Sequence, residues 1–307
     1  MKVESFYPPR NFAAIPAEAA SFERARVAIV PVPYDGTTEY KAALRGGPQA
    51  IIDASQDLEL FDIELERDTY LTGIHTLPEL QPLMGGPEHM IQRVYETARD
   101  LLRMGKMPVM LGGEHSVTLG MVRAFLESAA DLSVLQLDAH TDLRQEYLGT
   151  RFSYASVMRR VYELCPMVQV GIRSMSREEH TFIKEHGLSP FWADSFDPSA
   201  SSGHRVRDTI EQVVSALSPN VYLTVDLDVF DPGVMPAVGA PEPGGLGWAQ
   251  VTALLREVTR RRRVLGFDVV ELCPKEGPVA CAFLAAKLIY KVIGYVTSQD
   301  PTPPPKS

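Results

Sequence analysis

Leu132-Ser133-Val134-Leu135-Gln136-Leu137-Asp138-Ala139-His140-Thr141-Asp142 is a β-favouring run that ends abruptly in two carboxylates and an imidazole. A second stretch repeats the design: Val221-Tyr222-Leu223-Thr224-Val225 runs into Asp226-Leu227-Asp228-Val229-Phe230-Asp231. Side chains two apart on an extended segment share a face, about 6.6 Å apart along the strand. Asp138, His140 and Asp142 are therefore expected to point one way, as are Asp226 and Asp228. So much charge at the ends of buried strands needs neutralising, and divalent metal is the natural agent. Carboxylates mixed with imidazole favour manganese or a similar first-row ion, and this many suit two ions better than one. The rival reading makes these polar residues solvated strand ends. It suits one Asp-x-Asp, but not two such strings accompanied by Gly112-Gly113-Glu114-His115-Ser116.

Outward from these strings, short apolar runs alternate with helical patterns. Strands are expected at 27–32, 107–111, 132–137, 168–172, 221–225 and 264–269. Helices are expected at 48–58, 88–103, 117–128, 153–162, 177–186, 206–216, 248–260 and 279–293. The strands are continuously apolar, as befits a sheet covered on both faces. The alternation predicts an α/β fold: one three-layer α/β/α domain with a mainly parallel sheet. Polar residues at the strand exits then collect along one sheet edge, where open α/β folds bind ligands. Gly112-Gly113 permits a sharp turn after one strand, and His115 at this third exit becomes a candidate metal ligand. No linker or internal repeat divides the chain. The expected organisation is an extension over 1–25, one domain over 26–298, and a disordered proline-rich tail over 299–307.

A formal net charge of −9 over 307 residues argues against a nucleic-acid or acidic-membrane surface and suits a small cationic substrate. Arg260 to Arg263 form the basic cluster, read as a helix terminus facing the negative pole of the dipole. Three scattered cysteines, Cys165, Cys273 and Cys281, fit a reducing cytoplasm. The start, Met1-Lys2-Val3-Glu4-Ser5, lacks the apolar core of a signal peptide. The apolar stretch 280–296 is interrupted by Lys287 and Lys291, which predicts a buried helix rather than a membrane span.

The motifs, in order, resemble the ureohydrolase family, which contains arginase, agmatinase and guanidinobutyrase. They comprise Pro33-Tyr34-Asp35-Gly36-Thr37-Thr38, the 112–116 turn, both acidic strings, Pro241-Glu242-Pro243-Gly244-Gly245 and Asp268-Val269-Val270-Glu271. The likeness spans nearly the whole chain. Ala155-Ser156-Val157-Met158-Arg159-Arg160 and the 283–290 segment make it most similar to bacterial and archaeal agmatinase-like members. The resemblance implies an arginase-like fold and two manganese ions, one on His115, Asp138, Asp142 and Asp226, the other on His140, Asp138, Asp226 and Asp228. It implies a hydroxide between them that attacks a planar guanidinium carbon, since two ions lower the pKa of a shared water. Asp142 is then placed to carry a proton to the departing amine. Glu271 would receive the guanidinium on two oxygens, unless it pairs instead with Lys275. Family likeness further implies a homo-oligomer, trimer or hexamer. Asp231 before Pro232 reads as a turn-former; Glu242 reads either as pocket wall or as a solvated loop carboxylate.

One residue departs from the family pattern. Relatives carry a histidine a dozen residues after the metal string, where this chain has Tyr154. A phenol near pH 10 is a poor proton shuttle at neutrality, although it can hydrogen-bond and face a cation. The expectation is urea release from a linear guanidino compound, agmatine first. Guanidino acids or arginine are the alternative, because Arg144 or Arg151 would attract a carboxylate tail. Tyr154 also allows a weakly active relative, and a metal-bound, non-catalytic subunit or binding protein is the rival from outside the enzymes.

Overall fold

The structure, a computed structural model, describes residues 9–38, 43–197 and 206–298. The tail expected to be disordered, 299–307, lies outside the described residues. All six expected strands form: β1 (Val27–Val32), β5 (Met107–Gly112), β6 (Leu132–Leu137), β7 (Met167–Ile172), β9 (Asn220–Asp226) and β10 (Arg263–Val270). Two short strands, β4 (Ile74–Thr76) and β8 (Phe191–Trp192), complete the sheet, and β2 (Phe61–Asp62) with β3 (Arg67–Asp68) makes a separate antiparallel hairpin. The eight-stranded sheet runs β4-β1-β5-β10-β9-β6-β7-β8, with every pairing parallel.

Alternate residues of β1 serve opposite cores: Val27 and Ile29 face one, Ala28, Val30 and Val32 the other. The first core is covered by α1 (Gly47–Ala54), α6 (Val206–Ala216), α7 (Trp248–Arg261) and α8 (Ala280–Thr297). The second is covered by α2 (Pro87–Arg103), α3 (Thr118–Ser128), α4 (Val157–Tyr162) and α5 (Arg177–Glu185). This is the expected three-layer arrangement, and Phe12 and Ile15, upstream of β1, are wholly buried in the first core.

Helix α8 is long and apolar enough to cross a membrane by length and composition, but 72% of that window is buried inside the fold. Its Lys291 turns to the hairpin instead, reaching Asp62 at 3.1 Å and Glu64 at 2.6 Å. The arginine cluster is likewise engaged locally. Arg260 pairs with Glu257 at 2.7 Å, Arg261 with Glu211, and Arg262 donates to the Leu217 carbonyl. Two helix boundaries shift from expectation. Residues 55–57 form a 3-10 turn after α1, and Tyr154–Ser156 form another before α4. Tyr154 thus sits on a tight turn ahead of the helix, its amide donating to Thr37 Oγ1 at 3.2 Å.

Candidate metal centre

Four strands adjacent in the sheet, β5, β10, β9 and β6, deliver the site residues from their carboxyl ends. His115 follows β5, Glu271 follows β10, Asp226 ends β9, and Asp138 follows β6. At Gly113 a Cβ would lie 2.0 Å from the Tyr34 carbonyl oxygen, so only glycine fits where the β5 exit crosses the 34–38 loop. Glu114 locks that crossing. Fully buried, it accepts from the Thr37 amide and Thr37 Oγ1, both at 2.7 Å, and from Ser116 Oγ at 2.5 Å.

The neighbouring imidazole, His115, points the other way. Its Nε2 meets Thr224 Oγ1 at 2.9 Å, and Thr224 donates to the buried Asp268 at 2.5 Å. Nδ1 is left facing Oδ2 of Asp142 (3.1 Å), Asp138 (3.2 Å) and Asp226 (3.4 Å), with no hydrogen-bond partner. An orphaned buried nitrogen at the centre of three carboxylates fits a cation. His140 Nδ1 lies 2.9 Å from Asp228 and 3.6 Å from Asp138. Two groups therefore have metal-ligand spacing, His115–Asp138–Asp226 and Asp138–His140–Asp228, and they share Asp138.

All six expected ligands converge, but not by the strand alternation expected of them. Strand β6 ends at Leu137, and Asp142 reaches the cluster through left-handed backbone at φ 52°. Strand β9 ends at Asp226, and Asp228 stands on a 3-10 turn whose amide donates to Asp226 Oδ1 at 2.9 Å. Non-glycine residues in the left-handed region are uncommon. Two of the six described here, Asp142 and Glu271 (φ 68°), lie at this centre. Behind Asp138, Gln136 Nε2 donates to Oδ2 at 2.7 Å and is itself held by Gln169.

Burial and crowding set the electrostatics. Burial first, then the Asp138 charge, pushes Asp142 up to about 7. Asp226 is driven well above the carboxylate range by burial and by Asp228 and Asp138. Burial opposes charge on His140, yet Asp228 and Asp138 outweigh it and raise the imidazole to about 12. Asp138 goes the opposite way: burial would raise it, but its contacts with His115 and His140 hold it low. Without added cations, these carboxylates cannot all stay ionised together; a bound divalent ion reverses that pressure.

Above the cluster is a cavity of about 270 Å³. Asp142, Asp226 and Asp228 of the cluster form its floor, and Glu271, Tyr147, Tyr154 and Met175 line it further. Glu271 accepts the His115 amide on Oε1 at 2.8 Å and makes no ion pair with Lys275. Burial raises its pKa well above the ordinary glutamate value. Tyr154 packs edge-on against Tyr147, ring centres 5.8 Å apart, and burial followed by the Tyr147 contact raises its pKa further above neutrality. Arg144 also lines the cavity, with its guanidinium 5.0 Å from the Tyr147 ring centre and 4.0 Å from Glu179. Arg151 faces Glu163 instead, at 3.4 Å.

Other residues complete the frame. Asp231 is the turn-former expected, accepting from the amides of Gly233, Gly244 and Gly245. Glu242 Oε1 lies 3.9 Å from His140 Nε2. Sequence reasoning missed Gln136, Glu179 and Arg173. Gln136 carried a signal, a polar residue inside an apolar strand two positions before Asp138; Glu179 carried only the Ser176-x-x-Glu179 capping pattern of a helix start, and Arg173 gave none.

The sequence model of the arginase family matches residues 25–294, and the chain belongs to the arginase family. It is accordingly a hydrolase of the ureohydrolase kind. The N(1)-aminopropylagmatine ureohydrolase of Synechocystis sp. is 38% identical over 94% of this chain and 94% of its own length. The protein of that name from Thermus thermophilus is 40% identical, over 90% and 92%. The crystal structure of the agmatine ureohydrolase of Thermoplasma volcanium superposes with a TM-score of 0.84 at 32% identity, covering 96% of both chains.

Proposed function

We propose that this chain hydrolyses a linear guanidino compound bearing an aminoalkyl tail to the amine and urea, with agmatine or its N(1)-aminopropyl derivative as substrate. The observation that carries the reading is the orphaned His115 Nδ1 amid Asp138, Asp142 and Asp226, directly beneath a cavity overlooked by Glu271. Two manganese ions fit these residues: His115, Asp138, Asp142 and Asp226 for one, and His140, Asp138, Asp226 and Asp228 for the other. When bound, such a pair supplies a water activated near neutral pH and Lewis acidity toward the guanidinium.

The protein's own groups do the rest. Glu271 offers two oxygens to the NH₂ fork of the guanidinium, which fixes the carbon over the cluster. Asp142, with its raised pKa, is suited to hold a proton and pass it to the leaving nitrogen. Tyr154 positions substrate by a hydrogen bond and an aromatic face and stays protonated throughout.

Tail recognition favours the cationic compound over a guanidino acid. Arg144, the cation facing the cavity that could bind a carboxylate tail, is already met by Glu179 and the face of Tyr147. A cytoplasmic homo-oligomer belongs to the same proposal. Urea release with added manganese across agmatine, N(1)-aminopropylagmatine, arginine and 4-guanidinobutyrate tests it. Turnover confined to the first two supports the reading, turnover of the acid overturns the tail assignment, and no urea from any of them overturns the activity.

A further inference from the structure

The two imidazoles of the centre are oriented by different means. His115 hangs its outer nitrogen on Thr224 and Asp268, inside the sheet. His140 has no such support from the sheet. Among the described residues, Glu242 is the carboxylate within 4.0 Å of its Nε2, at 3.9 Å, and it belongs to the 239–245 loop.

That loop is stapled to the second acidic string by two opposite charges. Arg173, at the exit of β7, has no carboxylate within ion-pair distance among the described residues, and its guanidinium is occupied by backbone carbonyls instead. Nη2 donates to Asp228 O at 2.6 Å and Glu242 O at 2.8 Å, Nε to Glu242 O at 3.1 Å, and Nη1 to Gly171 O at 3.0 Å. From the other side Asp231 accepts the amides of Gly244 and Gly245 at 2.9 and 3.2 Å. At Gly245 a Cβ would lie 2.5 Å from the Asp231 nitrogen, so the two segments touch backbone to backbone. Five-donor guanidinium chemistry suits this bridging of carbonyls from three segments, which an ammonium could not reproduce.

We infer that Glu242 is a positioning residue for His140: it accepts the Nε2–H and so keeps the Nδ1 lone pair turned toward Asp138 and Asp228, with Arg173 and Asp231 holding the loop in place. This rests on the binuclear reading above. The Glu242 side chain is 38% exposed, and a movement of about 1 Å brings its oxygen into hydrogen-bond range. Carboxylate partners of metal-bound histidines fix the ring tautomer and orientation, and their loss typically weakens metal binding about 10–100-fold.

The test is manganese titration of the metal-stripped full-length protein by calorimetry, on wild type, Glu242→Ala and Glu242→Gln. Melting of each metal-stripped protein shows that the fold is kept. The expected result is two ions on wild type, one of them bound about 10–100-fold more weakly by Glu242→Ala. Glu242→Gln should remain within about 3-fold of wild type, because its amide oxygen still accepts the imidazole proton. Unchanged affinities in Glu242→Ala overturn the inference. So does a Glu242→Gln as weak as the alanine variant, which would place the effect in charge rather than in orientation. A wild type that binds no second ion is a different failure: it removes the binuclear reading itself, and this inference with it.

Discussion

In the acidic cluster at the floor of the cavity, Asp138, Asp226 and Asp228 are at most 4% exposed, and each accepts a backbone amide from one of the two acidic strings. On its side, Tyr147, Tyr154 and Met175 are half-buried on loops and turns, and the two tyrosines meet edge to face. The floor grows out of four central strands and has no freedom to repack, whereas the side can change residue by residue without disturbing the sheet. This division explains how a residue such as Tyr154 can vary while every candidate ligand stays in place. Under the proposed function, the sheet would carry the chemistry and the loops the choice of substrate.

The contrast can be broken most severely at its base. Asp138→Asn, at the residue shared by both candidate ion sites, should lower urea release by at least about 10²–10³-fold. Elemental analysis should find at most one manganese per chain; a full complement would detach Asp138 from the floor. Next in size, Glu271→Gln removes the charge proposed to receive the guanidinium. Loss of one partner from a buried charged pair costs about 2–5 kcal/mol, so kcat/KM should fall by about 30-fold or more while metal content stays unchanged.

Changes to the side should act more gently. Tyr154→Phe should move KM by less than about 10-fold, the scale of one neutral hydrogen bond. Tyr154→His should raise kcat on agmatine and add an ionisation near pH 6.5 to the rate profile. A lower rate would mean the phenol serves a task that an imidazole cannot.

The smallest effect lies outside both regions, in the Lys291 clamp on the hairpin. Burial would raise Asp62 and Glu64, but the hydrogen bonds and charge of Lys291 outweigh it and hold both below their ordinary values. Their contribution to stability is present above about pH 4, where the unfolded carboxylates ionise, and is lost as pH falls through the lower folded values. Lys291→Gln should therefore melt below wild type at pH 7, and the gap should narrow in acid. A gap that is constant with pH would show that the lysine acts by packing alone.

Most of this was legible in the sequence, for identifiable reasons. The six long strands declared themselves by continuous apolar runs, and the ligands by residue type and spacing at the strand exits. The three-residue β4 and two-residue β8 are too short to carry any period. The alternation argument brought Asp142 and Asp228 to the right place by the wrong path, because both lie beyond the strands on special backbone. The part played by Glu114 was not legible, because its partners Thr37 and Thr38 lie 77 and 76 residues upstream. Arg173 gave no signal because its partners are carbonyls, which every residue possesses.

Because β5, β10, β9 and β6 are the inner four strands, the candidate metal centre is rooted away from the sheet's fraying margins. Amides of Leu111, Leu137, Val225 and Val269 should exchange with solvent only through global opening. Heat should then leave no half-active form: residual turnover and residual native population should decline along one curve.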